Sequence, residues 1–297
     1  MVADRHFDQF APPTYIVLHP DKKDRDMAKT PESTGSLESR AQAPEPAEIA
    51  RHSALEGLLT CALLFGVTTF VRWVIGPSFV SDAIPQIHVQ LLIVGACVGL
   101  FLAVLILSRP GKISGGHINP AVSLAMWRFG VFPGAAVVPY ILAQLVGSFL
   151  GVLAARALWG PVVEEPPVAY CVLQPGADWT AGELFVAEAI SMGVIVYVVG
   201  LFLQRPKLAR LVPWLVGFLI GAAITVLGTT TGGSVNPARQ FGPAVISGQL
   251  SFLWVYLIAP MVGAAVAAAA LNWVPRHRAV LTHRLCGSHP DGSPQEG

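Results

Sequence analysis

The chain has 297 residues, of which 53% are hydrophobic and only 12% are charged. Lys and Arg together number 19 and Asp and Glu 18, so the formal net charge is +1. This composition is typical of a polytopic membrane protein, and it excludes a nucleic-acid-binding protein, which needs a marked basic excess.

The N-terminal segment, residues 1–50, is polar, rich in Pro, Glu and Ser, and mixed in charge. It offers too little apolar surface to form a core, so we predict a mostly disordered tail. No secretory signal precedes the first apolar stretch, and we expect the first span itself to direct insertion. The predicted layout is this tail, a membrane domain over residues 51–275 and a second tail over residues 276–297.

Six apolar segments follow, each close to the ~20 residues that a helix needs to cross a bilayer: residues 54–76, 88–108, 134–158, 182–203, 211–229 and 252–274. Three lie in each half of the domain, about 51–160 and 180–275. Because three is an odd number, a duplicated second half enters the membrane inverted relative to the first. The sequence therefore predicts an all-α membrane fold with an inverted repeat.

One short pattern occurs twice, after the second and the fifth span: Ser114–Val122 and Thr231–Arg239. In each, a Gly-Gly pair leads to an Asn followed by a Pro, which are typical of the cap and first residue of a helix. Irregular backbone at bilayer depth is tolerated only where it is buried in protein or lines a water-filled cavity. The repeat therefore predicts a pore built around two half-helices.

The pore chemistry follows from the two cap residues, Asn119 and Asn236. A cap Asn accepts backbone N–H groups with its side-chain oxygen, which leaves its NH₂ group free to donate. The positive end of each half-helix adds to this and repels cations. The loops before the caps are glycine-rich, and we expect them to turn carbonyl oxygens into the lumen. The carbonyls expected there are those of Gly115, Gly116, His117, Ile118, Gly232, Ser234 and Val235.

Three charged residues inside the membrane need an interpretation. Arg239 directly follows the second pattern, and an intramembrane Arg usually faces a water-filled path; the alternative is pairing with a buried acid. Glu56 and Glu188 open the two halves in equivalent places. They are either coupling carboxylates of a proton-linked carrier or structural braces, and their equivalence favours braces. For His117 we expect the carbonyl to matter more than the ring, since no second ligand lies at metal-binding spacing.

The two complete boxes, Asn119-Pro120-Ala121 and Asn236-Pro237-Ala238 followed by Arg239, resemble those of the major intrinsic protein family, the aquaporins and glycerol facilitators. The resemblance covers roughly residues 50–275. It implies half-helices that meet from opposite faces of the membrane, an outer constriction at Arg239, and re-entrant loops that donate hydrogen bonds to Glu56 and Glu188. It also implies a homotetramer in which each subunit has its own pore.

Counted from the boxes, the constriction positions of that family fall on Gly99, Ile224, Gly233 and Arg239. A slip of one residue in the second span would bring Val98 or Leu100 to the lumen instead of Gly99. Water-selective members resemble one another in an aromatic residue at the first position and a His at the second, and this chain has neither. We therefore expect a wider and less polar opening than a water-only filter.

Further features bear on the solute. Glycerol facilitators usually carry Asp directly after the Arg, where this chain has Gln240. The segments Tyr256-Leu257 and Gly242-Pro243-Ala244 resemble the plant nodulin-like branch, whose members pass small uncharged solutes including metalloid hydroxides. We predict a passive channel for water and small neutral solutes (glycerol, urea or metalloid hydroxides) that excludes ions and protons. It needs no cofactor, no metal and no enzyme chemistry. A water-selective channel, a secondary transporter and a non-conducting scaffold are the alternatives.

The basic residues predict the orientation. Most of the Lys and Arg residues lie in the two tails, around the first box and between the fourth and fifth spans, which are all on one side of the predicted membrane domain. The positive-inside rule makes that side cytoplasmic. We therefore predict an integral protein of the plasma (inner) membrane with both termini in the cytoplasm.

Overall fold

The computed structural model describes residues 45–273 and 279–288, so residues 1–44 of the predicted N-terminal tail lie outside it, whereas residues 46–50 of that tail are helical. The described part is helical, in agreement with the predicted fold class. Its α-helices are α1 Pro46–Val74, α2 Phe79–Ala83, α3 Ile87–Leu107, α4 Arg109–Ser114, α5 Pro120–Arg128, α6 Gly134–Trp159, α7 Ala181–Leu203, α8 Pro206–Ala209, α9 Val212–Leu227, α10 Pro237–Ser247 and α11 Leu253–Trp273.

Five of these helices, α1, α3, α6, α7 and α11, are long and apolar enough to cross a membrane. The remaining predicted span, the fifth, corresponds to α9, which has only 16 residues. At 1.5 Å per residue it covers about 24 Å, less than the ~30 Å hydrocarbon layer. The helix ends at Leu227, two residues before the predicted end at residue 229, because the chain turns at Gly228 into the second loop. The first span begins earlier than predicted, since Pro46 starts α1 ahead of the apolar stretch.

Close helix packing within each half depends on small residues. On α6, a Cβ at Gly147 would overlap the carbonyl oxygen of Gly57 on α1. In the equivalent place of the second half, a Cβ at Gly263 on α11 would overlap the carbonyl oxygen of Ala189 on α7. The helix pairs α1–α6 and α7–α11 can therefore approach with their backbones almost in contact.

The two halves meet at a crossing of α3 and α9 that is built from four glycines, Gly95 and Gly99 on α3 and Gly217 and Gly221 on α9. A Cβ at Gly99 would overlap the carbonyl oxygen of Gly217, and a Cβ at Gly217 would overlap that of Gly99. Gly99 therefore lies in the contact between two helices. The prediction that it faces the lumen is wrong, because its missing side chain serves close packing rather than pore width.

The chain order places the two half-helices on opposite faces. Helices α3 and α11 end on the face from which α4 and α5 enter, and α10 enters from the other face. Residues 279–288, which follow α11, fold back onto the first of these faces. There the backbone N–H of Leu285 donates to the carbonyl oxygen of Gly115 over 2.9 Å.

Candidate pore

The two predicted caps are present and equivalent. Asn119 precedes α5, and its Oδ1 accepts the backbone N–H of Ala121 over 2.9 Å. Asn236 precedes α10, and its Oδ1 accepts the N–H groups of Ala238 over 2.9 Å and Arg239 over 3.4 Å. Both caps have extended backbone and are followed by a proline, so each half-helix starts at its Asn-Pro step.

Each cap also holds the loop of the opposite half. The Asn119 Nδ2 donates to the carbonyl oxygen of Val235 over 2.9 Å, and the Asn236 Nδ2 donates to that of Ile118 over 3.0 Å. The sequence predicted both NH₂ groups to be free, and the structure shows that one hydrogen of each is engaged in this exchange. An amide NH₂ has two donors, so one remains at each Asn for a molecule in the cavity.

The loops reach the caps through left-handed backbone. Two glycines in each loop have positive φ, and so do the β-branched residues just before the caps, Ile118 with φ 53° and Val235 with φ 42°. A β-branched residue in this region costs about 1–3 kcal/mol and persists only where its surroundings enforce it. The strain occurs at the same place in both halves, which points to a functional backbone geometry.

Two buried carboxylates hold these strained turns. Glu56 accepts the N–H of His117 over 3.0 Å and that of Ile118 over 2.6 Å. Glu188 accepts the N–H of Ser234 over 3.2 Å and that of Val235 over 2.7 Å. Both side chains are fully buried. Each carboxylate therefore binds two consecutive N–H groups. These bonds fix the peptide planes of the loop and so orient its carbonyl groups.

Sequence reasoning missed a second pair of equivalent contacts. The Tyr140 hydroxyl on α6 donates to the carbonyl oxygen of Ser114 over 2.7 Å, and the Tyr256 hydroxyl on α11 donates to that of Thr231 over 2.6 Å. Each hydrogen bond fixes the start of one loop. The signal in the sequence was a Tyr at a similar separation after each Gly-Gly pair.

A central cavity of about 50 Å³ is lined by both caps. Its polar lining comes from the two loops and from Arg239. The rest of its wall is apolar and comes from both halves: Leu63, Val67, Val98, Leu102, Val122, Ala125, Met126, Met192, Ile195, Val196, Val199, Val216, Ile220, Ile224 and Leu285. One polar stripe therefore faces a broad apolar wall.

Of the predicted constriction residues, Ile224, Gly233 and Arg239 line this cavity. On α3 the lining residues are Val98 and Leu102, while Gly99 faces α9. Of the two alternatives to Gly99 that a shift of one residue offered, Val98 is therefore the one that lines the cavity. Leu100, the other candidate, is 58% exposed on the outer surface.

The predicted carbonyl residues divide into two groups. His117, Ile118 and Ser234 line the cavity. Gly115, Gly116, Gly232 and Val235 are outside the lining, and the carbonyl oxygens of Gly115 and Val235 each accept a protein N–H instead.

The His117 ring also has contacts that the sequence did not indicate. Its Nε2 lies 3.1 Å from the carbonyl oxygen of His283, and its Nδ1 lies 3.1 Å from the hydroxyl of Ser123. A carbonyl can only accept, so Nε2 carries the hydrogen and Nδ1 accepts from Ser123. The ring of His117 thus connects the first loop to the C-terminal segment.

Arg239 projects from α10 into the cavity and is held by a loop. Its Nη1 donates to the carbonyl oxygen of Cys171 over 2.6 Å. Within the described residues no carboxylate lies at ion-pair distance from Arg239. Cys171 belongs to the connection between α6 and α7, 68 positions away along the chain, and nothing local in the sequence indicated this partner.

Comparisons with known proteins agree with this geometry. The family model described as "Major intrinsic protein" matches residues 50–271. The chain is 37% identical over 193 residues to a probable aquaporin, AqpM, of Archaeoglobus fulgidus, and the aligned region covers 62% of this chain and 76% of that protein. It is 39% identical over 183 residues to the aquaporin NIP3-1 of Zea mays, which covers 60% of this chain and 58% of that protein.

The fold is similar to the X-ray structure of the aquaglyceroporin from Plasmodium falciparum, with a TM-score of 0.62 and 24% identity. The match covers 76% of this chain and 96% of that structure. The family model, the paired half-helices and the central cavity lead to one conclusion. The chain belongs to the major intrinsic protein family and is a passive membrane channel for water and small neutral solutes.

Proposed function

We propose that the pore conducts neutral solutes larger than water, of the size of glycerol, urea or a metalloid hydroxide, together with water. The observation that carries this is the absence of Phe, Tyr and Trp from the described residues that line the cavity. Val98 and Ile224 are aliphatic, so no aromatic ring narrows the lumen at these positions, while Gly233 lets its loop pack against the backbone of Ala223 on α9.

The wall chemistry suits a polyol or amide. Hydroxyl or amide hydrogens of the solute can donate to carbonyl oxygens of the two loops. Solute oxygens can accept from Arg239 and from the remaining N–H of Asn119 and Asn236. The carbon side of the solute then faces the apolar wall, where it replaces no hydrogen bond. A pore with polar groups on every side would favour water over such solutes.

Exclusion of ions follows from the same groups. A cation that leaves water needs several acceptors around it, and the broad apolar wall supplies none. Asn119, Asn236 and Arg239 present donors or positive charge, and both half-helices point their positive ends inward. That half-helix dipoles and an Arg exclude cations and protons in aquaporin-type pores is a general principle of the fold.

The hydrogen bonding of the two acids favours braces over coupling sites. Besides the two loop N–H groups, Glu56 accepts from the Ser114 hydroxyl over 2.7 Å and from Gln144 Nε2 over 2.9 Å. A carboxylate with its lone pairs occupied in this way has little capacity left to bind a coupling ion. We therefore assign Glu56 and Glu188 to holding the loops, and a passive channel in preference to a carrier.

Several features of the whole protein belong to the same proposal. We assign residues 51–275 to the channel, with cytoplasmic tails at 1–50 and 276–297, in the plasma (inner) membrane. We also propose a homotetramer, on the likeness to the family; large apolar side chains such as Phe218, Val226 and Val186 are exposed on the outer surface of the described subunit. In the assembly they face lipid or a neighbouring subunit.

Stopped-flow light scattering on proteoliposomes tests the proposal. Shrinkage in sucrose gives water permeability, and entry of glycerol, urea and boric acid gives solute permeability, with protein-free vesicles as control. We expect all four rates to exceed the control without saturation. Water flux without solute entry would leave a water-selective channel, dependence on a proton gradient would indicate a carrier, and rates equal to the control would indicate a scaffold.

A further inference from the structure

Gln240 makes a pair of hydrogen bonds that the proposed pore does not yet explain. Its Oε1 accepts the backbone N–H of Leu173 over 2.9 Å, and its Nε2 donates to the carbonyl oxygen of the same residue over 2.9 Å. A primary amide pairs with a peptide group in this way only when both are held at one orientation. Gln240 is 1% exposed, so water does not compete for these bonds.

The loop held by Gln240 is the loop that holds Arg239. Leu173 lies two residues after Cys171, whose carbonyl oxygen accepts from the Arg239 Nη1. The Leu173 side chain packs over Gly232, where an added Cβ would meet its Cδ2 at 2.8 Å. The loop is therefore anchored two residues after the carbonyl that meets Arg239, through both the backbone and the side chain of Leu173.

The backbone before this anchor is strained. Ala169, Tyr170 and Cys171 have φ values of 43°, 56° and 61°. Successive non-glycine residues in the left-handed region are strained and persist only where the surrounding structure enforces them. The two Gln240 bonds hold the backbone at Leu173, two residues beyond the last of these strained positions.

We propose that Gln240 is a positioning residue for solute selection, which acts by clamping Leu173 so that the Cys171 carbonyl holds the Arg239 guanidinium against one side of the lumen. The inference rests on the proposed function, because it requires Arg239 to meet the permeating solute. Without the clamp, the guanidinium samples the lumen and obstructs a large solute more than it obstructs water.

Gln240→Met tests this, since Met has a similar length and neither donor nor acceptor of useful strength. We expect the glycerol-to-water permeability ratio to fall about fivefold, the change that follows from losing roughly one net hydrogen bond of positioning. Both permeabilities are measured on the same vesicles, so misfolded protein lowers them together and leaves the ratio unchanged.

Gln249→Met is the matched control, because its exposed side chain only receives a hydrogen bond from Gln174 at 3.1 Å in the same region. An unchanged or increased ratio in Gln240→Met would overturn the inference. If the unaltered channel passes water alone, the proposed solute range fails. The inference is then tested by water permeability per folded channel, which should still fall in Gln240→Met and stay constant in Gln249→Met.

A second inference has an independent basis in residues 279–288. Leu285 is 1% exposed and its side chain lines the central cavity. The backbone N–H of Leu285 donates to the carbonyl oxygen of Gly115. Two residues earlier, the carbonyl oxygen of His283 lies within hydrogen-bond distance of the His117 ring. Gly287, with φ 75°, lies so close to the backbone of Ala209 that a Cβ would contact the Ala209 carbonyl group at 2.5 Å.

We infer that this segment is a cap that narrows the pore at the end opposite Arg239, with Leu285 as the residue that reaches into the mouth. Leu285→Ala shortens that residue and weakens docking by a factor of roughly thirty or more. Gly287→Val leaves Leu285 intact but prevents the approach to Ala209. Both should raise water permeability per folded channel.

Leu281→Ala is the matched control in the same segment, because that side chain is 43% exposed. It should leave water permeability as it is. The cap would be overturned if Leu285→Ala and Gly287→Val conduct no faster than the unaltered channel, or if Leu281→Ala raises permeability as much as they do.

Discussion

Acidification should open the cap, and His283 sets the size of the effect. Its ring centroid lies 5.3 Å from that of Phe132 and 5.6 Å from that of His117. Burial lowers the pKa of His283 from 6.5 to about 3, with a smaller contribution from the charges of His117, Arg284 and His52. The docked segment therefore needs His283 to be neutral.

The sign follows from linkage between proton binding and docking. The docked state binds the proton more weakly than the released state, so docking is fully favoured above pH 6.5 and weakens as the pH falls from 6.5 towards 3. With pKa values of about 6.5 released and about 3 docked, the released-to-docked ratio rises roughly tenfold between pH 7.5 and pH 5.5.

The assay is water permeability of proteoliposomes with equal pH inside and outside. We expect a rise of up to about tenfold at pH 5.5 relative to pH 7.5. His283→Gln should abolish the dependence, and His52→Gln should retain most of it, since His52 makes the smallest contribution among the groups that lower the pKa of His283. A pore whose permeability is constant across this range, or that closes on acidification, would refute the reasoning.

The remaining predictions concern the pore and its supports. Arg239→Val should admit protons or cations, because it removes the charge that faces the lumen; unaltered conductance in planar bilayers would contradict this. Val98→Phe should reduce glycerol permeability more than water permeability, whereas equal losses would place position 98 outside the lumen. Gly99→Leu should lower the free energy of unfolding by about 1–3 kcal/mol through overpacking against α9, with the glycerol-to-water ratio of the folded fraction unchanged. Glu188→Gln should also destabilise by about 1–3 kcal/mol, because one loop N–H then faces an NH₂ group; an unchanged melting curve would argue against the brace.

The class of fold and the centre of the pore could be predicted from the sequence because their signals are local. Apolar length marks the spans, and the Asn-Pro step marks a half-helix start wherever it occurs. The equivalent positions of Glu56 and Glu188 show the repeat without any knowledge of contacts. These features depend on residues within one helix or one loop, so no tertiary information is needed to recognise them.

The lumen-facing side of α3 was decided only by the tertiary structure. That helix is apolar all round, so no polar face distinguishes Val98 from Gly99, and the glycine that suggested a wide pore instead allows α9 to approach. Three contacts join residues that are far apart in the chain: Arg239 with Cys171, Gln240 with Leu173, and Leu285 with Gly115. Such contacts depend on where whole helices place their ends, and a sequence pattern of a few residues carries no information about that placement.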